Sequence, residues 1–516
     1  MLWRGLLALA VGLAVAATAR AADRAARVAR PSGAAWSDGP TLYLKQQVAA
    51  GMGQDNSLPR REKLRLRALD WGSGETIPIN QDLRNYLAGH GNQQGALAEL
   101  WAARRAASGT SRAMAERRQL LVQAHESRQR VQSALRTLGF ESADQDRLAE
   151  LMVWRNLAYG SSTLAHGSTA PGGPANEDAQ RRARDGLRDA VAKSFVLGDR
   201  LAHAAALQDG GQFLHFADML SLHAEAAKGF PDKEPGQVRW VNFEWPFNSF
   251  GVDYPRLHGR DGEIARFERF LRSGSSTGPK GRPVSAFTRQ PLQVMARSLY
   301  WLHNIHPFRD GNGRTEVLTG WALARGAGYP LPIEYDQASG DFRLAATKWG
   351  GTALDLRDFL ARGALASERF LNALRPLLED RRVLSVHTDQ GAVGTVVARR
   401  SGSGERSLLV MLPVTHALAN DSELSAEVKR GRAVLTGGSF DPEQITIEFA
   451  VDGKHGQWRT LRPAAIHDWD ARYPWWSTAE PVFQIDLPFG YQFVNFRVLG
   501  PGGQNLGADD YYMDLR

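Results

Sequence analysis

The chain has 516 residues and a hydrophobic content of 43%, enough apolar sequence for more than one globular core. Its formal net charge is +8, but arginine is spread along the sequence rather than gathered in one run, so the charge does not indicate nucleic-acid binding. The absence of cysteine excludes disulfides and leaves core packing to stabilise the fold.

The first 21 residues have the pattern of a cleavable signal peptide. Arg4 precedes the apolar run 6–17, and Ala19 and Ala21 are small residues at the positions that signal peptidase requires. The run is short for a bilayer-spanning helix, so export is favoured over the alternative, a membrane anchor. No later stretch reaches membrane-spanning length. We therefore expect a protein exported to the periplasm or the exterior, with no stable membrane span.

The next part of the chain changes from irregular to helical. Residues 22–60 are rich in Ala, Gly, Pro and Ser without a regular period, which predicts a linker. From 61 to 235 long segments of Ala, Leu, Arg, Glu and Gln have helical spacing, most clearly at 95–106, 113–138 and 143–159. We expect the region 61–235 to form a helical bundle.

Signals for a helix end and a strand follow. The Pro-Gly pair at 235–236 predicts the end of a helix. Residues 240–245 alternate bulky and smaller side chains, which is typical of a strand or a hairpin arm. The many aromatic residues of this segment either fill a core or grip a substrate.

Further helical spacing is found at 262–271, 291–304 and 316–325. The segment 291–304 places an apolar stripe on one helix face and leads directly into His306. His303 lies three residues before His306, but no third histidine is nearby. A structural role for His303 is therefore favoured over metal binding.

Nine residues at 306–314, HPFRDGNGR, carry groups suited to a phosphate chain. Gly311 and Gly313 flank Asn312, and glycines with φ > 0 can aim successive backbone N–H groups at one anion. Arg314 adds a fixed positive charge. A helix that begins near Gly311 would add its positive end to the same site.

Two other side chains of this stretch have defined chemistry. Asp310 offers the carboxylate oxygen by which Mg²⁺ is usually held beside substrate phosphates. His306 is the group here that can accept a proton near neutral pH, as a general base must. Phe308 is expected to turn inward and anchor the loop.

Residues 306–314 resemble the signature of the Fic family, HxFx(D/E)GNGRxxR, at all seven specified positions from His306 to Arg314. The chain differs from the signature at the last position, where it has Val317 in place of the second arginine. The resemblance covers about 150–375 and implies a mainly α fold, a Fic-type helical bundle with a β-hairpin flap, whose catalytic core spans 236–378.

The resemblance also implies an enzyme, a protein adenylyltransferase-like nucleotidyltransferase. It would move a nucleoside monophosphate, AMP first among them, from ATP or another nucleotide to a Ser, Thr or Tyr hydroxyl of a target protein. The implied roles are His306 as general base, Asp310 as Mg²⁺ ligand, and Gly311, Asn312, Gly313 and Arg314 as phosphate- and nucleotide-binding residues. Gly313 favours nucleotidyl transfer, because the phosphorylating branch of the family has lysine there. The target would dock on the flap near 238–256 by strand pairing.

Some Fic proteins carry an inhibitory motif, (S/T)xxxE(G/N), whose glutamate pairs with the second arginine of the signature. Residues 161–166 (SSTLAH) resemble this motif at the end of a helix near 151–166, with Ala165 at the glutamate position. Both partners of the ion pair, Ala165 and Val317, are then missing, which avoids leaving one buried charge unpaired. The alternatives are an ordinary helix end and a rival motif at 221–225.

From 380 to 516 the pattern is that of β-strands. Short runs of β-branched or aromatic residues lie at 384–387, 394–399, 408–414, 433–436, 445–451, 482–487 and 493–499. They predict an all-β sandwich-like domain of about seven strands. A cluster of tryptophans precedes the sixth run: Trp458, Trp469, Trp475 and Trp476. They either pack in the core or help to bind a glycan or protein ligand.

Other functions stay open at this point. The periplasm holds little ATP and Val317 removes a cation, so the transferred group could be UMP or phosphocholine. Alternatively, the Fic region is a non-catalytic scaffold and the β-domain binds the ligand. A toxin of a toxin–antitoxin pair is disfavoured by the signal peptide and the long C-terminal domain.

Overall fold

A computed structural model describes residues 111–160, 177–207, 209, 213–228, 234–240, 257–273, 287–333, 353–389, 393–400, 402, 404–412, 442–452, 457–468, 479–487, 493–500, 502–503, 505 and 511–514. Several predicted features lie outside these residues: the signal peptide 1–21, the linker 22–60, the helix 95–106, the inhibitory-type motif with Ala165, the flap residues 241–256, the run 433–436 and Trp469, Trp475 and Trp476.

The helices of the described chain are α1 (Ser111–Thr137), α2 (Ser142–Gly160), α3 (Glu177–Leu207), α4 (Phe216–Ala226), α5 (Glu263–Ser273), α6 (Pro291–Ile305), α7 (Asn312–Gly326) and α8 (Ala353–Leu378). Five of them confirm the predicted helical segments at 113–138, 143–159, 262–271, 291–304 and 316–325. Among the described helices, none is both long enough and apolar enough to cross a membrane.

The helix that was expected to end at the Pro-Gly pair ends earlier. α4 stops at Ala226, and the N–H of Ala227 donates to the carbonyl of His223 (2.9 Å). The Pro-Gly pair instead forms a separate turn, in which Gly236 has φ +73° and donates its N–H to the His223 ring. The sequence prediction was wrong here: Pro-Gly is a turn signal, but the turn that it forms is separate from the end of α4 and contacts the His223 ring.

α7 is central to the helical region, since it packs against α2, α3, α4 and α6. Glycines allow the closest of these contacts. A Cβ at Gly326 of α7 would lie 2.7 Å from the Cβ of Leu201, and a Cβ at Gly198 of α3 would lie 2.8 Å from the Cβ of Arg325. The backbones of α3 and α7 therefore approach each other more closely than two larger residues would permit.

Two antiparallel sheets follow the helices, as the β-rich pattern predicted. The strands are β1 (Arg381–Asp389), β2 (Val393–Arg400), β3 (Arg406–Met411), β4 (Thr446–Val451), β5 (Arg459–Leu461), β6 (Ala465–Asp468), β7 (Ala479–Leu487), β8 (Phe493–Leu499) and β9 (Tyr511–Asp514). Sheet A has the order β1-β2-β3-β7-β6 and sheet B the order β5-β4-β8-β9. The prediction did not include β5, β6 and β9, which have only three or four residues each.

A common core joins the two sheets. Its fully buried members include Leu408 and Val410 of β3, Phe483 and Ile485 of β7, Ile447 of β4 and Phe496 of β8. The register supports this packing, because Leu408 lies opposite Ile485 and Val410 opposite Phe483. Trp458 lies beside sheet B, with the Arg497 guanidinium 4.6 Å from the centre of its ring.

The other face of sheet A packs on the helices. α2 contacts β1 and β2, and α8 contacts β6. Asp144 of α2 is buried and accepts a hydrogen bond from the N–H of Val383 on β1 (3.1 Å). Sheet A is thus covered on both faces, which explains why β3 is a nearly continuous apolar run. The domain boundaries at 236 and 380 stay predictions.

Candidate active site

The loop between α6 and α7 holds the predicted general base. α6 ends at Ile305, and His306 has the left-handed conformation φ 45°, ψ 64°. The Nδ1 of His306 lies 3.4 Å from the carbonyl oxygen of His303, which favours the tautomer protonated on Nδ1. In that tautomer Nε2 is the nitrogen that can accept a proton.

Phe308 and Asn312 hold the loop together. Phe308 is completely buried, as expected, and stacks on the ring of His223 with centroids 3.9 Å apart. The Asn312 side chain accepts the N–H of Phe308 (3.0 Å) and donates to the Phe308 carbonyl (2.8 Å). The side-chain amide of Asn312 therefore closes the loop, and the phosphate contact that the resemblance implied for this residue stays a prediction. Its backbone N–H stays available to the predicted anion site at the helix start.

The helix start at Gly311 agrees with the sequence prediction. Gly311 has φ 76° and caps α7, which begins at Asn312. A Cβ at position 311 would also lie 3.2 Å from Cδ2 of His223, so a larger residue would press on this ring as well as strain the backbone. Gly313, by contrast, lies within α7. The expected two-glycine nest is thus a helix N-terminus, whose first N–H groups have no partner within the helix and attract anions.

Asp310 and Arg314 form a long ion pair next to the start of α7. Asp310 is 29% exposed, its Oδ1 accepts the N–H of Gly311 (2.6 Å), and its Oδ2 lies 3.9 Å from Nη2 of Arg314. Arg314 is 2% exposed and donates from Nη1 to the carbonyl of Ala226 at the end of α4 (2.9 Å). Burial lowers the pKa of Arg314, and the charge of Asp310 opposes this shift. The guanidinium of Arg314 is therefore held in the interior, within ion-pair distance of Asp310.

Asp310 is suited to bind Mg²⁺. Its carboxylate is partly exposed beside the start of α7, where substrate phosphates are expected. Mg²⁺ is usually held by one or two carboxylates together with the phosphates of the substrate, so a single acidic residue is sufficient.

His223 is a buried residue of the site that the sequence did not identify as functional. Its Nδ1 accepts the N–H of Gly236 (3.0 Å), and its Nε2–H donates to the carbonyl of Asp310 (2.8 Å). Burial, with a smaller effect of the Arg314 charge, lowers the pKa of His223 to about 4. A neutral ring thus connects α4, the turn at Gly236 and the backbone of Asp310.

Arg239 is the second residue that sequence reasoning missed. It is 1% exposed and donates to the loop from its backbone N–H and from its guanidinium. The acceptors are the carbonyls of Pro307 (2.9 Å, from the backbone N–H), His306 (2.8 Å, from Nε) and Ile305 (3.5 Å, from Nη2). The sequence offers no local signal for such contacts, because 67 residues separate Arg239 from His306.

His303 has the structural role that its spacing favoured. Its Nδ1 lies 3.0 Å from Oε2 and 3.1 Å from Oε1 of Glu316, and both residues are buried. The pair connects the last turn of α6 with the first half of α7. It therefore connects the two helices on either side of the loop 306–311.

The positions related to inhibition are resolved only in part. Val317 is 2% exposed on α7, so an apolar side chain fills the place of the second signature arginine. Ala165 lies outside the described residues. In the rival motif at 221–225, Glu225 accepts hydrogen bonds from Lys193 (2.7 Å) and forms an ion pair with Lys228 (3.2 Å). These two lysines, rather than an arginine of the signature, are the cations that pair with Glu225.

A proton acceptor, a carboxylate and a helix N-terminus within one loop are the features of an enzyme that transfers a phosphate-linked group. Residues 213–324 match the model of the Fic/DOC family, and this span includes the loop and the helices α4 to α7. This region therefore belongs to the Fic/DOC family, and the chain carries a Fic-type transferase domain.

One solved structure similar to this chain is Fic-1 (residues 134–508) from C. elegans. The match has 16% sequence identity and a TM-score of 0.35, and it covers 65% of this chain and 99% of that structure. No curated protein matches the chain.

Proposed function

We propose that the protein is a nucleotidyltransferase that moves a nucleoside monophosphate, AMP in the first instance, from a nucleotide to a Ser, Thr or Tyr hydroxyl of a target protein. The observation that carries this proposal is the geometry of His306. Its Nδ1 is directed at the carbonyl of His303, so that Nε2 serves as the base, and Asp310 and the start of α7 lie on the same loop.

In the proposed reaction each group of the loop has a separate role. The hydroxyl oxygen of the target forms a bond to the α-phosphorus, the bond from that phosphorus to the diphosphate breaks, and the hydroxyl proton passes to Nε2 of His306. The first N–H groups of α7 stabilise the negative charge on the transferred phosphate, and Arg314 adds its charge from below. Asp310 would hold Mg²⁺, which neutralises part of the phosphate charge when bound.

The location and the partner are part of the proposal. The signal-peptide pattern at 1–21 supports export to the periplasm or the exterior. The target protein would dock along 238–256. The side chain of Trp240 supports this, because it is 62% exposed at the start of that segment and offers an apolar surface.

Val317 supports two further parts of the proposal. Without a cation at this position, a glutamate of the inhibitory type has no arginine to pair with, and Ala165 provides no glutamate. The site would therefore lack the internal inhibition known in the family. The loss of the cation also favours, as a second candidate, transfer of UMP from UTP or of phosphocholine from CDP-choline.

Turnover by the purified full chain tests this function. We expect the chain with Mg²⁺ to consume one of ATP, UTP or CDP-choline, releasing diphosphate or CMP and modifying itself or an added protein, as detected by mass spectrometry. His306→Ala should reduce the rate about 100-fold or more, because general base catalysis typically contributes that much. The matched control is His125→Ala, at an exposed histidine of α1.

Two results would contradict the proposal: no donor consumed by the unmodified chain, or equal rates for the chain and its His306→Ala variant. Glycan or protein binding by the same inactive chain would then favour the scaffold function, with the β-region as the binding part.

A further inference from the structure

One residue binds three consecutive carbonyl groups at the catalytic loop. Arg239 donates to Ile305, His306 and Pro307, two of them from its guanidinium and the third from its backbone N–H. The arginine is almost completely buried, so water does not compete for these contacts.

The first of these carbonyls, that of Ile305, needs a donor because of where it lies. The last four carbonyls of an α-helix have no partner within the helix, and Ile305 is the last residue of α6. Leaving a buried carbonyl without a donor is costly. A positive charge is also favourable at this end of a helix, where the backbone dipoles leave partial negative charge.

The conformation of His306 also requires support. A side chain with φ near 45° is uncommon, because its Cβ approaches the backbone. In addition, a residue followed by proline is normally extended, and Pro307 follows His306. Two local preferences thus oppose the observed conformation, so contacts from elsewhere in the fold must maintain it.

We propose that Arg239 is a positioning residue for the general base. By holding the carbonyls on both sides of His306, it maintains the left-handed backbone from which Nδ1 reaches the carbonyl of His303. Nε2 is then directed to the substrate, a consequence that rests on the proposed function. Without Arg239 the ring loses its fixed tautomer and direction.

The position of Arg239 is itself set by a second contact. His258 donates from Nε2 to the carbonyl of Arg239 (2.9 Å), and its ring stacks on Trp240 with centroids 3.6 Å apart. Arg239 and His258 lie on either side of segment 241–256 in the chain. The residues that flank the proposed docking segment are therefore connected through Arg239 to His306.

The chain offers a matched control for the loss of a buried arginine. Arg297 lies on α6, is also buried, and its guanidinium lies 5.0 Å from the ring centre of Phe270. Arg297→Met and Arg239→Met both remove a buried guanidinium next to α6. Only the second removes the guanidinium donors to the carbonyls of Ile305 and His306, while the backbone N–H that donates to Pro307 remains.

The first measurement does not depend on turnover. In the full chain with ¹⁵N-labelled histidine, the ring signals of His306 are those that disappear in His306→Ala. We expect the unmodified neutral ring to be protonated mainly on Nδ1, and the same ring in Arg239→Met to be a mixture of both tautomers. Arg239→Lys keeps the positive charge but lacks the planar guanidinium with its several N–H donors, so it should give a smaller change in the same direction.

The second measurement is kinetic. If a donor is consumed, Arg239→Met should lower kcat about 100-fold with the KM for the donor within about threefold, as expected when a catalytic group is misplaced by about 1 Å. Arg297→Met should keep both the His306 tautomer and kcat close to those of the unmodified chain.

The proposal is overturned if the His306 ring signals are the same in Arg239→Met and in the unmodified chain, or if Arg297→Met changes them equally. If Arg239→Met does not fold, unchanged signals in Arg239→Lys overturn it as well. A failure of the proposed function is recognised separately, because the chain then consumes no donor while the tautomer measurement still decides the role of Arg239.

Discussion

At the scale of single residues, three histidines of the same site have three different roles, and each role is set by hydrogen-bond partners. His306, the proposed base, has Nδ1 3.4 Å from the carbonyl oxygen of His303, and His303 pairs with a buried carboxylate. His223 uses both ring nitrogens to connect backbone groups, and its burial keeps it neutral. Residue type alone does not distinguish these roles, because imidazole can donate, accept or carry a charge.

His223 predicts a specific loss of stability in acid. Its pKa is about 4 in the folded chain and 6.5 in the unfolded one, so the unfolded chain binds more protons between these values. The stability that the neutral ring provides is present above pH 6.5 and is lost as the pH falls toward 4. Between pH 7 and pH 5 we expect this group to lower the free energy of unfolding by roughly 2 kcal/mol.

Urea unfolding at pH 7 and pH 5 measures this contribution. His223→Gln keeps an N–H donor for the Asp310 carbonyl but does not titrate, so its loss of stability between the two pH values should be smaller by that amount. His125→Gln, at an exposed histidine, is the control. An equal pH dependence in the unmodified chain and His223→Gln would contradict the assignment.

At the scale of elements, the position of α7 decides the geometry of the candidate site, because the helix begins at the loop and is packed against α2, α3, α4 and α6. α7 packs very closely on α3 at its C-terminal end, where Gly326 faces Leu201.

Gly326→Ala tests this contact. Alanine normally stabilises a helix relative to glycine, but here its Cβ would lie 2.7 Å from the Cβ of Leu201, a separation that the backbone must relieve by moving. We expect a net loss of about 1 to 3 kcal/mol in the free energy of unfolding, as is typical of overpacking. Denaturant unfolding gives the value, and Ser133→Ala on the exposed side of α1 shows the effect of helix propensity alone. A Gly326→Ala variant as stable as the unmodified chain would mean that α3 and α7 separate without cost.

At the scale of the whole molecule, sheet A packs against sheet B on one face and against α2 and α8 on the other. The buried carboxylate of Asp144 adds a hydrogen bond to the backbone of β1. Removing the strands would expose the apolar surfaces of α2 and α8. The helical and β regions therefore stabilise each other.

Hydrogen exchange followed by mass spectrometry tests this dependence. Because they share sheet A as a buried layer, amides of α7 and β3 should exchange through the same global opening and with the same denaturant dependence. Asp144→Ala should lower protection in both, by roughly 1 to 3 kcal/mol for the unpaired N–H of Val383. Exchange of β3 at clearly lower denaturant than α7 in the unmodified chain would show that the two parts unfold independently.

Much of the site was predictable because its signals are local. The apolar period of α6 ends directly before His306, and Gly311 allows the positive φ from which α7 begins. The β-rich runs likewise predicted the longer strands. Not predictable were the burial of Arg314 and the internal hydrogen bonds of Asn312, because both depend on what packs against the loop.

The sequence by itself thus determined the periodic helices, the order of helical and β regions, and the chemical groups of the loop, because each depends on residues close together in the chain. Only the tertiary structure decided which groups form hydrogen bonds with the backbone of that loop and which elements pack on the faces of the sheets. Arg239 reaches His306 across 67 residues, His223 reaches Asp310 across 87, and Asp144 reaches Val383 across 239. Contacts of this range follow from the packing of whole elements, which leaves no pattern in neighbouring residues.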